Sequence, residues 1–165
     1  MDSVVTSATQ EVFLRLAAAV AIGSVIGLNR ELHSKPAGLR THALVTLGSA
    51  VSALACIHYG MANHLPGLDA LSRVIQGIIT GIGFLGAGVI MREQSSSRMR
   101  GLTTAATIWV AASLGIVCAI GHWQLVLLAT GWVLVILVLG GTLERMIVRL
   151  WKRNQDSANS DHESL

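Results

Sequence analysis

Charge is scarce in this sequence: only 13% of its 165 residues are Asp, Glu, Lys or Arg. Soluble domains carry roughly 25%, so the chain has too little polar surface to clothe a water-soluble globule. Cysteine is scarce too. Cys56 and Cys118 both lie inside apolar runs and form no CxxC pair, which points to neither a disulfide framework nor a zinc site. Enzyme signatures are missing: there is no GxxxxGK[ST] phosphate loop, no HExxH, no GxSxG and no Cys/His nucleophile pair. The expectation is a non-enzymatic chain without a cofactor, and an ATPase is excluded on these residues alone. The formal charge is +3, yet the basic residues stand in short blocks and are not interleaved with aromatics. A nucleic-acid partner is therefore not expected.

What the sequence does have is apolar length. A bilayer's hydrocarbon core is about 30 Å thick and a helix rises 1.5 Å per residue, so a crossing takes about 20 largely apolar residues. Five segments meet this requirement: Val12 to Leu28, Thr41 to Tyr59, Val74 to Met91, Thr103 to Ile120 and Trp123 to Leu143. Only Gly121 and His122 separate the last two, which predicts a tight helical hairpin. The expected fold is all-α, a polytopic membrane bundle of five helices. Residues 1–11 form a short periplasmic segment, 12–150 the transmembrane domain and 151–165 a disordered cytoplasmic tail, since nothing after Trp151 has an apolar period to bury. The amino end is expected to be retained, because Asp2 and Glu11 stand where a signal peptide would be basic. Orientation follows from Lys and Arg, which stay on the cytoplasmic side. Ten of the twelve, at positions 30, 35, 40, 92, 98, 100, 145, 149, 152 and 153, fall on one side of a five-helix layout. That predicts the amino terminus outside and the carboxyl terminus inside.

Three features could carry function. The third helix holds Gly77, Gly81, Gly83, Gly86 and Gly88. Gly77 and Gly81 stand four apart, as do Gly23 and Gly27 in the first helix, a spacing that lets helix backbones approach closely. The same glycines weaken a helix, and a break there would line a path. Second, Arg30-Glu31 followed by Gly38-Leu39-Arg40-Thr41-His42-Ala43 is echoed by Arg92-Glu93 followed by Gly101-Leu102-Thr103-Thr104-Ala105-Ala106. If the two hairpins are a duplication, a pseudo-twofold axis along the membrane normal relates them. Both sites put a glycine before a helix start, with Thr41 and Thr103 or Thr104 as candidate caps. Arg30, Arg40 and Arg100 stand nearby, so this cytoplasmic end suits an anion or a gate; Glu31 or Glu93 could fill it internally. Third, Glu11 with Arg15 and Asp69 with Arg73 stand four apart with the acid first, expected as ion pairs at the membrane edge.

These residues resemble the MgtC/SapB family over about Leu14 to Gly121. The resemblance is carried by Arg15-Leu16, Ile22-Gly23, Ile26-Gly27-Leu28-Asn29-Arg30-Glu31, Ala37-Gly38-Leu39-Arg40-Thr41-His42, Gly81-Ile82-Gly83-Phe84-Leu85-Gly86-Ala87-Gly88-Val89-Ile90, and Arg100-Gly101-Leu102-Thr103-Thr104-Ala105-Ala106 followed by Trp109. It implies a protein of the bacterial inner membrane that serves magnesium or stress homeostasis, as a transporter of magnesium or a small solute. The alternative it implies is a non-transporting regulator docked on another membrane complex such as the ATP synthase. Longer members carry an ACT-like carboxyl-terminal domain, and the expectation here is a short form without it. Candidate partners are the lipid bilayer, magnesium, a second copy through the glycine faces, and another membrane protein. Magnesium prefers oxygen ligands, especially carboxylates. No Asp or Glu stands mid-helix, so one chain offers no cation cage, although an oligomer could arrange Glu31 or Asp69 as a ring.

Overall fold

The structure, a computed structural model, describes residues 2–63, 67–92 and 99–162, with side chains over 8–63, 69–90 and 99–141 and at Met146. Five long helices dominate: α1 (Asp2–Leu32), α2 (Leu39–Ala62), α3 (Gly67–Val89), α4 (Leu102–Ile120) and α5 (Trp123–His162). Between α3 and α4, β1 (Met91–Arg92) and β2 (Met99–Arg100) pair antiparallel, with Met91 opposite Arg100. Each helix contains a stretch long and apolar enough to cross a bilayer: Ala8–Leu32, Leu39–Ala62, Asp69–Val89, Leu102–Ile120 and Trp123–Gly141. The all-α, five-span architecture expected from the sequence is the one observed. The boundaries differ: α1 and α3 begin earlier than expected, at Asp2 and Gly67 in place of Val12 and Val74. Helices α2 and α4 begin at Leu39 and Leu102, immediately after glycine N-caps. Helix α5 continues through residues 151–162, where the sequence reading expected a disordered tail; no glycine or proline follows Gly141 to end it.

The chain divides into two compact units, residues 1–130 and 131–165. The second consists of the remainder of α5. In the first, α2 and α4 pack side by side, and α1 and α3 each pack on both of them. The reason lies in small side chains. Buried residues on α2 recur as His42, Thr46, Ser49, Ala50 and Ala53, and on α4 as Thr104, Thr107, Ala111, Ala112 and Gly115. Both sets form stripes that let backbones come close where lipid supplies no hydrophobic drive. A methyl group at Gly115 would strike the Thr46 carbonyl and stand 3.0 Å from Ser49 Cβ. A methyl at Gly23 would lie 2.6 Å from the His42 carbonyl, and one at Gly27 2.6 Å from Leu39 Cα. The Gly23/Gly27 pair is thus a close-packing face, but for α2.

It does not meet α3, contrary to the match expected between the two glycine pairs. Gly77, Gly81, Gly83 and Gly88 have open space beside them, and only Gly86 touches a neighbour, with its added carbon 3.6 Å from Ala105 Cβ. Nor do the glycines break α3, which is continuous from Gly67 to Val89. Its side toward α4 is held by Ile82, Ile108 and Ala112, while Phe84 and Leu85 on its outer side are exposed.

These contacts separate two kinds of glycine. Gly115→Leu should lower stability by about 1–3 kcal/mol or more through overpacking, whereas Gly81→Leu should leave the folded monomer within about 0.5 kcal/mol of the parent. Thermal unfolding of the two variants in detergent micelles reads the difference directly.

Candidate functional site at the loop end of the bundle

Helix α1 is clipped to α4 at two points. Near one end, Arg15 Nη1 donates to the Ala119 carbonyl at 2.5 Å, while its Nη2 pairs with Glu11. At the other, Arg30 Nη2 donates to Thr104 Oγ1 at 2.5 Å. The partners run in opposite order along the two helices, so α1 and α4 are antiparallel and their register is set by both arginines. Gly121 ends α4 in the left-handed region with φ 82°, and a side chain there would collide with the Arg15 guanidinium. Of the two expected membrane-edge pairs, Glu11 with Arg15 forms; among the described residues Asp69 and Arg73 make no ion pair.

Arg30 is 5% exposed, and its Nε has no hydrogen-bond partner. Among the described residues no carboxylate bonds it. Beside it lies His42, fully buried, with Nδ1 3.0 Å from the Gly38 carbonyl and Nε2 3.2 Å from Thr107 Oγ1. A carbonyl only accepts, so Nδ1 carries the proton; on the other side Nε2 faces the Thr107 hydroxyl, whose single proton points to the nearer Thr104 carbonyl at 2.9 Å. Thr46 turns its hydroxyl back to the His42 and Ala43 carbonyls, each at 3.0 Å. The result is a continuous polar seam inside the junction of α1, α2 and α4.

The starts of α2 and α4 solve their capping in different ways. Thr41, Thr103 and Thr104 are not caps: Gly38 and Gly101 occupy the N-cap positions, with no side-chain cap bond at either. At α2, Glu31 reaches back and its Oε2 accepts from Leu39 N at 3.0 Å. The internal occupant foreseen for this end is therefore Glu31 itself, while Glu93 lies outside the described residues. At α4, Gly101 takes φ 91° and its missing Cβ leaves room for the Val89 carbonyl, so no other residue fits. Thr104 is buried as the acceptor for Arg30, whereas Arg100 and Thr103 are exposed. The α1–α2 turn places Ser34 and Ala37 at φ 51° and 57°, and a cavity of about 590 Å³ opens beside it. Its walls are Glu31, Ser34, Lys35, Gly38, Leu39, Arg40 and Thr41.

The structure gathers Arg30, Glu31, Gly38, Arg40, Thr41 and Thr104 of the sequence reading at this end of the bundle, together with His42, Thr46, Thr107 and Gly115, which that reading did not single out as its interior. Their spacing carried a signal. His42, Thr46 and Ser49 form one small, polar face of α2, and Thr104, Thr107 and Ala111 another on α4. No group of three His, Cys, Asp or Glu side chains capable of holding a metal ion occurs among the described residues.

Comparison with known proteins adds the following. The sequence model of the MgtC family matches residues 16–146. The chain is 42% identical over 147 residues to Protein SrpB of Synechococcus elongatus, covering 84% of this chain and 81% of that protein. It is 43% identical over 117 residues to Protein MgtC of Salmonella typhimurium, covering 71% of this chain but 47% of its relative. It is also 39% identical over 151 residues to YhiD of Escherichia coli K12, whose name assigns it provisionally to magnesium transport, with 88% and 66% covered. The chain thus spans about half the length of the Salmonella relative. No solved structure matches the chain at a significant level.

The Arg30 contact can be weighed by a double-mutant cycle. Thr104→Val removes the acceptor that the buried Arg30 has among the described residues and should cost about 1–3 kcal/mol, while Thr104→Val combined with Arg30→Met should lose less than the sum of the two single changes. Unfolding midpoints of the four proteins in one detergent decide it; strict additivity would mean that the bond contributes nothing.

Proposed function

Because the chain belongs to the MgtC family, we propose that it is a multi-pass protein of the bacterial inner membrane that serves magnesium or stress homeostasis by regulating another membrane protein, and does not conduct the ion through its own bundle. The observation that carries this reading is the closed, cationic interior of α1, α2 and α4. The space that a path would need is taken up by contacts too close for a methyl group at Gly23, Gly27 and Gly115. Its one buried charge is Arg30, with no carboxylate bonded to it among the described residues. A divalent cation about 5 Å from that charge would be repelled by about 7 kcal/mol at an effective dielectric constant near 20. Magnesium also prefers carboxylates, and among the described residues none is buried in this interior. The ten basic residues grouped on one side support an orientation with the amino terminus outside and the loop end in the cytoplasm.

One observation favours transport instead: the open glycine side of α3 at Gly77, Gly81 and Gly88, where a second copy could complete a path that a single chain lacks. The two readings separate in liposomes holding only the purified protein and a magnesium-sensitive dye. Regulation predicts influx no faster than in empty liposomes. Saturable uptake abolished by Gly81→Leu would establish the transport reading in its place.

A further inference from the structure

The cavity beside the α1–α2 turn has no part in that reading, and its chemistry is distinctive. Of its side chains, Lys35 and Arg40 bring positive charge, and Ser34 and Thr41 bring hydroxyls. Its single acid, Glu31, is already engaged by Leu39 N. Among the described residues nothing accepts from the N–H groups of Arg40 and Thr41, which follow the Leu39 N–H that Glu31 caps at the start of α2. Arg30, next to Glu31 in sequence though not itself a wall of the cavity, is a buried cation with an unbonded Nε, and charge held in so dry a place is poorly screened. Two cations against one carboxylate leave the charge balance of the cavity walls positive.

From this set we propose that the cavity binds a phosphate group, carried either by an anionic phospholipid headgroup or by soluble phosphate. Ammonium, guanidinium, hydroxyl and amide N–H are the donors that phosphate oxygens take up, and bonds to charged donors are the stronger ones. At about 590 Å³ the cavity falls within the range of small-molecule sites, roughly 300–1,000 Å³, and is ample for a phosphodiester with its glycerol. A magnesium ion is the wrong guest, facing two cations and one occupied carboxylate. Depth favours the lipid as the source. The apolar span of α1 ends at Leu32 and that of α2 starts at Leu39, so the cavity's residues straddle the level where headgroups lie. Leu28, Leu32 and Leu44 are exposed on the adjoining turns of α1 and α2, where acyl chains would run.

Calorimetric titration of the full chain in a neutral detergent tests this, with short-chain phosphatidylglycerol, short-chain phosphatidylcholine and inorganic phosphate as separate titrants. Saturable binding of phosphatidylglycerol alone supports a lipid site, and binding of inorganic phosphate supports a soluble one. In either case Lys35→Gln with Arg40→Gln should weaken binding at least 10-fold, while the charge-retaining exchange Lys35→Arg with Arg40→Lys should hold it within a few-fold. Lys152→Gln with Arg153→Gln removes the same charge elsewhere and should change nothing. The proposal is overturned if neither anion binds, if phosphatidylcholine binds equally well, or if both double Gln variants behave alike.

Discussion

The antiparallel clip between α1 and α4 is the constraint on which the rest of this bundle depends. Arg15 reaches a backbone carbonyl near the end of α4, and Arg30 reaches a threonine in its first turn. With both points fixed, α1 cannot slide along α4, and the α1–α2 turn is held against the start of α4. The polar seam through His42 and Thr107 then falls into place, because Gly38 and Thr107 stand on either side of one imidazole. A buried arginine bonded only to a neutral hydroxyl among the described residues is costly in isolation, since taking a charge out of water costs several kcal/mol. Here the close packing of three helices over-determines its position.

That packing is made from small residues. Without a hydrophobic drive between helices in lipid, contact area and local hydrogen bonds must hold them together. The stripes on α2 and α4 answer this by bringing backbones together, and their threonines satisfy themselves on carbonyls one turn back. Helices α1 and α3 then occupy equivalent places, each packed on both central helices. This is the pattern that exchange of the two hairpins about a twofold axis would give, and it agrees with the sequence echo around Gly38 and Gly101. The two flanks are nevertheless unlike in substance. Gly23 and Gly27 of α1 are consumed in contact with α2, whereas most of the α3 glycines face away from the bundle.

Much of the fold was legible because a bilayer imposes length and polarity on every span, and five apolar runs between charged blocks leave few alternatives. The short turn at Gly121 and His122 was readable for the same reason, but the packed helical hairpin expected from it is not observed: α4 and α5 are not among the helix pairs that pack together. Which glycines meet which helix was not, since i and i+4 spacing marks a face without naming its partner. The threonine caps were misplaced because a glycine N-cap starts the helix earlier than a search for Ser or Thr caps expects. The seam escaped notice for a related reason: His42 counted as part of a repeated motif, and only the fold sets it against Thr107, 65 residues away. Glu31 as the internal cap of α2 was foreseen from its place in the loop.

The Arg30 contact also bears on how the protein is made. Its acceptor lies 74 residues further along the chain, beyond two more helices, so it does not exist when α1 first enters the membrane. Until α4 arrives, the only low-cost place for this charge is the aqueous edge, reached by its own flexible stem. Insertion and assembly are thereby separated in time: spans enter first, and the arginine moves inward when α4 docks. The newborn helical hairpin is an incomplete object that waits for its successor, and a delay in synthesis between α2 and α4 prolongs the interval in which its seam is unsealed.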